Sequence, residues 1–187
     1  KAVTYASAEA IGEKRAEGIR KAADEILSGK LDEHFPLKVW QTGSGTQSNM
    51  NVNEVLAFRA TQLSGEDVHP NDHCNWGQSS NDVFPTAMHI SGYLFLKERM
   101  LPAMDEFIST MEAKASEFKD IVKIGRTHLQ DAVPLHLGDE FQTFAEQIKY
   151  AKGSLEASMK TLLRLPIGGT AVGTGLNAKP GFAEQVI

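Results

Sequence analysis

Two long apolar seams, separated by the polar stretch KIGRTHLQDAVP at 123–134, constrain this chain more than anything else in it. Ala87, Ile90, Leu94, Leu101, Met104, Ile108, Met111, Ala115 and Phe118 follow one another in steps of three, four or seven. Leu137, Phe141, Phe144, Ile148, Ala151, Leu155, Met159 and Leu162 form a second series of the same kind. Both keep close to a 3.5-residue period, the pattern of long helices lying side by side. Each covers roughly 30 residues, or about 45 Å of helix. Helices of that length need packed neighbours along their whole extent. Lys97 is the missing position in the first seam, and Pro102 predicts a kink rather than an end because the seam resumes in phase. Two helices joined by a hinge bury one face each. The expected solution is a larger bundle, completed by further sequence, by other subunits or by both.

Ahead of the seams the pattern is shorter. Residues 8–28 read as one helix with Ile11, Ile19, Ala22, Ile26 and Leu27 on its apolar stripe and Gly29 as its stop. A turn-rich stretch follows, with a short strand predicted over 37–41. A second helix is expected from about Met50 to Leu63, using Val52, Val55, Leu56 and Ala60. The segment SGEDVHPNDHCNWGQSSND is almost entirely turn formers. Asn81 or Asp82 is predicted to cap the first long helix, with Pro85 in its first turn, and Pro134 to open the second. LPIGGTAVGTGLNAKPG reads as a glycine-rich loop, with a new helix beginning after Pro180. The chain starts without Met and stops inside that helix, so part of a longer polypeptide is expected.

Composition narrows the function classes. A net charge of -5 argues against a nucleic-acid binder, which would carry a basic patch. No run of apolar residues is long enough to span a bilayer. The N-terminal stretch is charged and amphipathic, unlike a signal peptide. The single Cys74 excludes an internal disulfide and a multi-cysteine zinc site, and fits a reducing compartment.

Four polar clusters sit at predicted helix ends or in loops. Thr42 to Asn49 (TGSGTQSN) lacks the third glycine of a dinucleotide fingerprint and the Lys of a phosphate loop. It precedes a helix, where N–H groups and hydroxyls can hold an anion; a plain cap with a flexible approach is the simpler reading. His69, Pro70, Asn71, Asp72 and His73 carry two histidines four apart, but Pro70 and Asn71 favour a surface turn over a helical metal pair. Gln78, Ser79, Ser80, Asn81 and Asp82 offer more capping groups than one helix needs, so the surplus could face a carboxylate. In the hinge, His128 stands among Arg126, Thr127, Gln130 and Asp131. An imidazole gives and takes protons in the neutral range, which makes His128 an acid–base candidate, although a lone histidine is more often structural. His34, His89, His136 and Cys74 carry no such signal. No cofactor or metal motif is present, and the clusters are rich in neutral donors, a profile suited to acid–base chemistry on a small dicarboxylate.

In this order, TGSGTQSNMNVNE (42–54), HPND (69–72), QSSNDVFPTAMH (78–89), GRTHLQDAVPLHLGDE (125–140) and GGTAVGTGLN (168–177) resemble the fumarase/aspartase superfamily. Within it they are most similar to the class II, metal-independent fumarate hydratases. The likeness runs over nearly the whole chain from Val39, and five ordered motifs are specific together although each alone is weak.

The resemblance implies a mainly α fold: a small helical N-terminal domain over 1–78, then the first part of a long-helix bundle over 79–187 that forms a homotetramer core. It implies reversible, stereospecific hydration of fumarate to L-malate without a cofactor, in active sites gathered from three subunits. By likeness, Ser44, Gly45, Thr46 and Asn49 form a first substrate-binding region, and Ser79, Ser80 and Asn81 bind a carboxylate. Thr127 binds substrate, and His128 moves a proton. His69, Pro70, Asn71 and Asp72 match a second dicarboxylate site. Aspartase usually has Asn where His69 stands and Thr in place of Ser80, which favours the hydratase over an ammonia-lyase. A non-catalytic helical assembly module is the reading from a different class. The family's serine loop, G-S-S-x-M-P-x-K-x-N, is absent from these residues, so they hold two of three catalytic regions. The localisation implied is the bacterial cytoplasm, with the mitochondrial matrix second. Trp76, His136 and Phe58 depart from residues frequent in the family, which bears on the second site more than on the catalytic pocket.

Overall fold

The computed structural model describes residues 1–38, 41 and 45–187. The expected contribution of Ser44, and positions 39 and 40 of the strand predicted over 37–41, lie outside the described residues; Leu37, Lys38 and Gln41 are described and form no strand, so that expectation is corrected. Among the described residues the structure is mainly α-helical, with one two-stranded ribbon. It divides into two compact units, Lys1–Met88 with Leu165–Ile187, and His89–Arg164.

In the first unit the helix predicted over 8–28 is two helices, α1 (Ala2–Ile11) and α2 (Glu13–Leu27). The break falls at Gly12, whose φ of 88° takes the chain out of the helical path. The spacing of Ile11 and Ile19 survives the break, and both enter one core cluster with Ala16, Ala22, Ala57, Ala60, Val68 and Cys74. Most of these side chains are small, so α2 packs closely on α3 (Thr46–Ser64). Leu27, expected on the stripe, is exposed at the end of α2. A second cluster joins Ala6 of α1 to Ile167 and to Phe182 of the short helix Phe182–Val186. The glycine-rich segment before it forms no regular element, as expected.

In the second unit α5 (Leu101–Glu117) and α6 (Leu137–Met159) run antiparallel. Phe118 meets Phe141 edge-on at 5.2 Å between ring centres, and Lys149 and Lys152 reach Glu112 and Asp105 at 2.7 and 2.5 Å. The apolar side chains of α5 expected on its seam, Leu101, Met104, Ile108, Met111 and Ala115, are buried or half-buried. On α6 the inward series is Gly138, Phe141, Ala145, Ile148, Lys152, Leu155 and Met159. It keeps the 3.5 period but turns Phe144 and Ala151 outward.

The first long seam is interrupted. Leu96–Met100 forms a π-helical turn between α4 (Ser80–Phe95) and α5. A π turn accommodates one residue more than an α turn and so rotates what precedes it by about 100°. The packed residues in this unit are therefore His89 and Tyr93 of α4, one residue earlier than expected from the spacing, with Leu96 of the π turn, and Ile90 and Leu94 are exposed. The expectation that the seam stays in phase through a kink at Pro102 is corrected on this point. His89 Nδ1 hydrogen-bonds the Arg164 carbonyl at 2.9 Å.

The polar hinge, expected as a turn, contains regular strands. It is a β-hairpin of β1 (Val122–Thr127) and β2 (Gln130–His136). The antiparallel register runs from Val122 opposite His136 to Thr127 opposite Gln130, with a shift between Ile124 and Arg126. Pro134 does not open the second helix; it lies within β2, paired with Ile124. Among the described residues each strand of this ribbon has one free edge, and such edges tolerate a residue lacking an N–H. The helix begins at Leu137, where His136 and Asp139 form a reciprocal cap.

The two helices cross so closely near the hairpin that only glycine fits at 138. A Cβ there would lie 2.4 Å from the Ala115 carbonyl oxygen and 3.0 Å from Lys119 Cα. Both obstacles are backbone and cannot rotate away. Gly138→Ala is expected to destabilise the unit by roughly 1–3 kcal/mol, read as a fall of several degrees in melting temperature. An unchanged melting curve would show that the crossing opens easily.

Candidate active site

The head of α4 is built by reciprocal capping. Ser79 Oγ accepts from the Asn81 N–H at 3.2 Å, and the Ser79 N–H donates to Asp82 Oδ1 at 2.9 Å. The cap is thus Ser79, not Asn81 or Asp82, because Asp82 closes the bond from inside the first turn. Pro85 lies past that turn, within the helix.

Asp82 also reaches across the fold. Its Oδ2 accepts from the N–H groups of Gly168 and Thr170 at 3.1 and 2.9 Å. The carboxylate is 1% exposed. It clasps the glycine-rich segment against the start of α4. Asn81 Nδ2 adds a bond to the Ala171 carbonyl at 2.9 Å.

Between these pieces lies a cavity of about 280 Å³, lined among others by Asn49, Asn75, Ser79, Ser80, Thr170 and Asn177. Its polar groups are hydroxyls and carboxamides, set at the positive end of a 16-residue helix. Thr170 is held at φ 57° and is 6% exposed, and its Oγ1 has no hydrogen-bond partner among the described residues. A larger groove of about 670 Å³ between α2 and α3 is lined by Leu31, Val55, Phe58 and Arg59. It brings together none of the expected donor clusters, so size alone does not mark the chemistry.

Of the residues expected to bind substrate, Asn49, Ser79 and Ser80 line the smaller cavity. Thr46 stands behind Ser80, Oγ1 to Oγ 3.2 Å. Gly45 precedes α3 at φ 82°, and a Cβ on it would sit 2.3 Å from the Phe84 ring, so its first requirement is steric. Asn81 spends one N–H on Ala171 and does not line the cavity.

The His69 cluster forms a π-helical turn, Pro70–Cys74. His69 Nδ1 accepts from the N–H groups of Asn71 and Asp72 at 3.3 and 3.2 Å, and His73 Nδ1 accepts from the His69 N–H at 2.8 Å. The plain surface turn expected from Pro70 and Asn71 is instead a single helical turn, with the His73 and Cys74 N–H groups both donating to the His69 carbonyl at 3.1 and 3.2 Å. Cys74 is buried behind it, and burial pushes its thiol up to about 12, which keeps it protonated and unreactive at neutral pH.

Thr127 and His128 belong to the second unit. Thr127 ends β1, and His128 and Leu129 form the two-residue hairpin turn, both exposed, at φ 50° and 62°. Turns of this kind favour Asn-Gly, because both residues adopt left-handed backbone. A His-Leu pair there costs on the order of 1 kcal/mol or more per residue. Leu129 shares this conformation, so the backbone marks the turn as a whole. Residues missed by sequence reasoning are Asp82 as a clasp, Asn75 and Thr170. The surplus of polar residues after Gln78 and the GGT of the tail were the available signals.

The family model described as lyase matches residues 1–187, the whole chain. The chain is 57% identical over 179 residues to the mitochondrial fumarate hydratase of Danio rerio, covering 92% of this chain and 35% of that protein. It is 55% identical over 180 residues to the class II fumarate hydratase of Chlamydia pneumoniae, covering 93% of this chain and 39% of that one. The crystal structure of recombinant class II fumarase from Schistosoma mansoni superposes with a TM-score of 0.91 at 44% identity, over 99% of this chain and 40% of that one. The chain therefore spans little more than a third of the length of the curated relatives it matches. With its helical architecture and its entire length matched, the chain belongs to the lyase family.

Proposed function

We propose that this chain is part of an enzyme that reversibly hydrates fumarate to L-malate. The observation that carries the reading is the cavity at the head of α4, where Asn49, Ser79 and Ser80 converge. Its size and neutral donors suit a small dicarboxylate, and similarity to proteins named fumarate hydratase supports the substrate.

In the dehydration direction, a proton leaves the carbon beside one carboxylate and negative charge builds on that carboxylate. Donors fixed in advance stabilise the charged transition state more than the ground state. A second group protonates the departing hydroxyl. Ser79, Ser80 and Asn49 hold the carboxylate, supported by Ser44, Gly45, Thr46 and Asn81. Thr127 binds substrate and His128 carries the proton transfer. His69, Pro70, Asn71 and Asp72 form a second dicarboxylate site.

The reading includes a homotetramer whose sites are shared between subunits. Exposed Ile90, Leu94, Phe95, Phe107 and Phe144 on the long helices supply apolar surface for such an assembly. In the whole protein, residues 1–78 belong to the N-terminal domain and 79–187 open the central bundle. The bacterial cytoplasm is the first location, the mitochondrial matrix the second.

A polypeptide spanning the full length of the relatives should remove the ultraviolet absorbance of fumarate when given fumarate alone. Loss only on addition of ammonia would replace the reading with an ammonia-lyase. No loss under either condition, in a folded tetramer, would leave an assembly module.

A further inference from the structure

We propose that Asn75 is a positioning residue that sets which way the Asn49 carboxamide faces. The inference rests on the dicarboxylate reading of the cavity and adds a residue to it.

Asn75 follows the His69 turn, and its backbone N–H is anchored to the Pro70 carbonyl at 3.1 Å. Its side-chain Nδ2 donates to the backbone carbonyl of Gln78 at 3.4 Å. Gln78 in turn is tied to the same turn by Nε2 to the Cys74 carbonyl at 2.9 Å. A backbone carbonyl can only accept. It therefore decides which end of the Asn75 amide points toward it, and Nδ2 must.

The consequence passes along the network. With Nδ2 committed, Asn75 presents Oδ1 to α3. Asn49 Nδ2 and Asn53 Nδ2 both donate to that oxygen, at 3.3 and 3.0 Å. Asn49 and Asn53 are 8% and 7% exposed, so the Asn75 oxygen is the acceptor at hand for both amides. One fixed carbonyl thus orients three carboxamides in sequence. Asn49 spends one N–H on Asn75, and no hydrogen bond among the described residues uses its second N–H. Asn49 and Asn75 both line the cavity. A carboxylate needs donors, and an Asn49 amide turned over would meet it with an oxygen. Asn53 shares the acceptor but does not line the cavity, so the orienting effect on substrate runs through Asn49 alone.

The test is a double-mutant cycle in the full-length enzyme, with fumarate as the probe. Asn75→Ala should raise KM about tenfold, the usual worth of one hydrogen bond to a charged group, with kcat changed less than about threefold. Asn49→Ala should do the same. In the Asn49→Ala background, Asn75→Ala should raise KM by less than about twofold, because the residue it positions is gone. Asn75→Ser, a milder change, should move KM in the same direction by a smaller factor if the alanine variant does not fold. Multiplicative single effects would overturn the proposal, as would an unchanged KM in Asn75→Ala. So would an equal loss of kcat and KM effect accompanied by a lower melting temperature in both backgrounds, which is the signature of a structural role. A wild-type enzyme that leaves fumarate untouched removes the hydratase reading and this inference with it, an outcome distinct from an active wild type with an indifferent Asn75.

Discussion

Replacing His128 with asparagine in the full-length enzyme should lower fumarate turnover by roughly 10²- to 10⁴-fold, the usual contribution of a positioned acid–base group. Folding should be untouched. His128 is exposed and holds a left-handed turn position that asparagine tolerates better than most residues. The melting temperature should therefore stay within about 2 °C of wild type, or rise slightly. That separation matters, because few catalytic candidates can be removed by a change that suits the backbone. Steady-state rates and a thermal melt on the same sample decide it. Turnover within about threefold of wild type would end the acid–base role of His128.

The largest expected loss of stability comes from Asp82→Ala. It removes the acceptor for three backbone N–H groups, those of Ser79, Gly168 and Thr170. Two of those donors lie in a loop far along the chain, and the site is closed to water. Leaving them unpaired costs roughly 1–3 kcal/mol each before relaxation, so a net loss of about 3–5 kcal/mol is expected. That is a large part of the stability of a typical domain. Asp82→Asn should lose nearly as much, because one acceptor oxygen becomes a donor facing donors. Urea unfolding of the chain measures both. A loss below about 1 kcal/mol in Asp82→Ala would mean that the glycine-rich segment is held by its apolar contacts instead.

Much of the architecture was legible in local spacing. The 3.5-residue period of Met104, Ile108, Met111 and Ala115 needs only the geometry of a helix to be read, and these side chains are buried or half-buried in α5. The surplus of capping residues from Gln78 to Asp82 pointed to more than a cap, and Ser79 and Ser80 do line a cavity. Other features resisted the same reading. The hairpin was hidden because its turn is His-Leu rather than Asn-Gly and its strands are mostly exposed, which blurs the alternation of a half-buried strand. Pro134 looked like a helix start, whereas the reciprocal cap of His136 and Asp139 sets the boundary.

By itself, then, the sequence determined that two long helices would pair through apolar seams and that polar clusters would collect at their ends. Helical period and capping chemistry act between residues a few positions apart, so they are written into short segments. Tertiary structure alone decided the rest. The π turn at Leu96–Met100 shifts the buried face of α4 by one residue. The Asp82 clasp joins positions more than 80 residues apart, and the Asn75 network joins α3 to a turn beyond its end. Such contacts form only once the chain has closed on itself, and no local pattern records which donor will meet which acceptor.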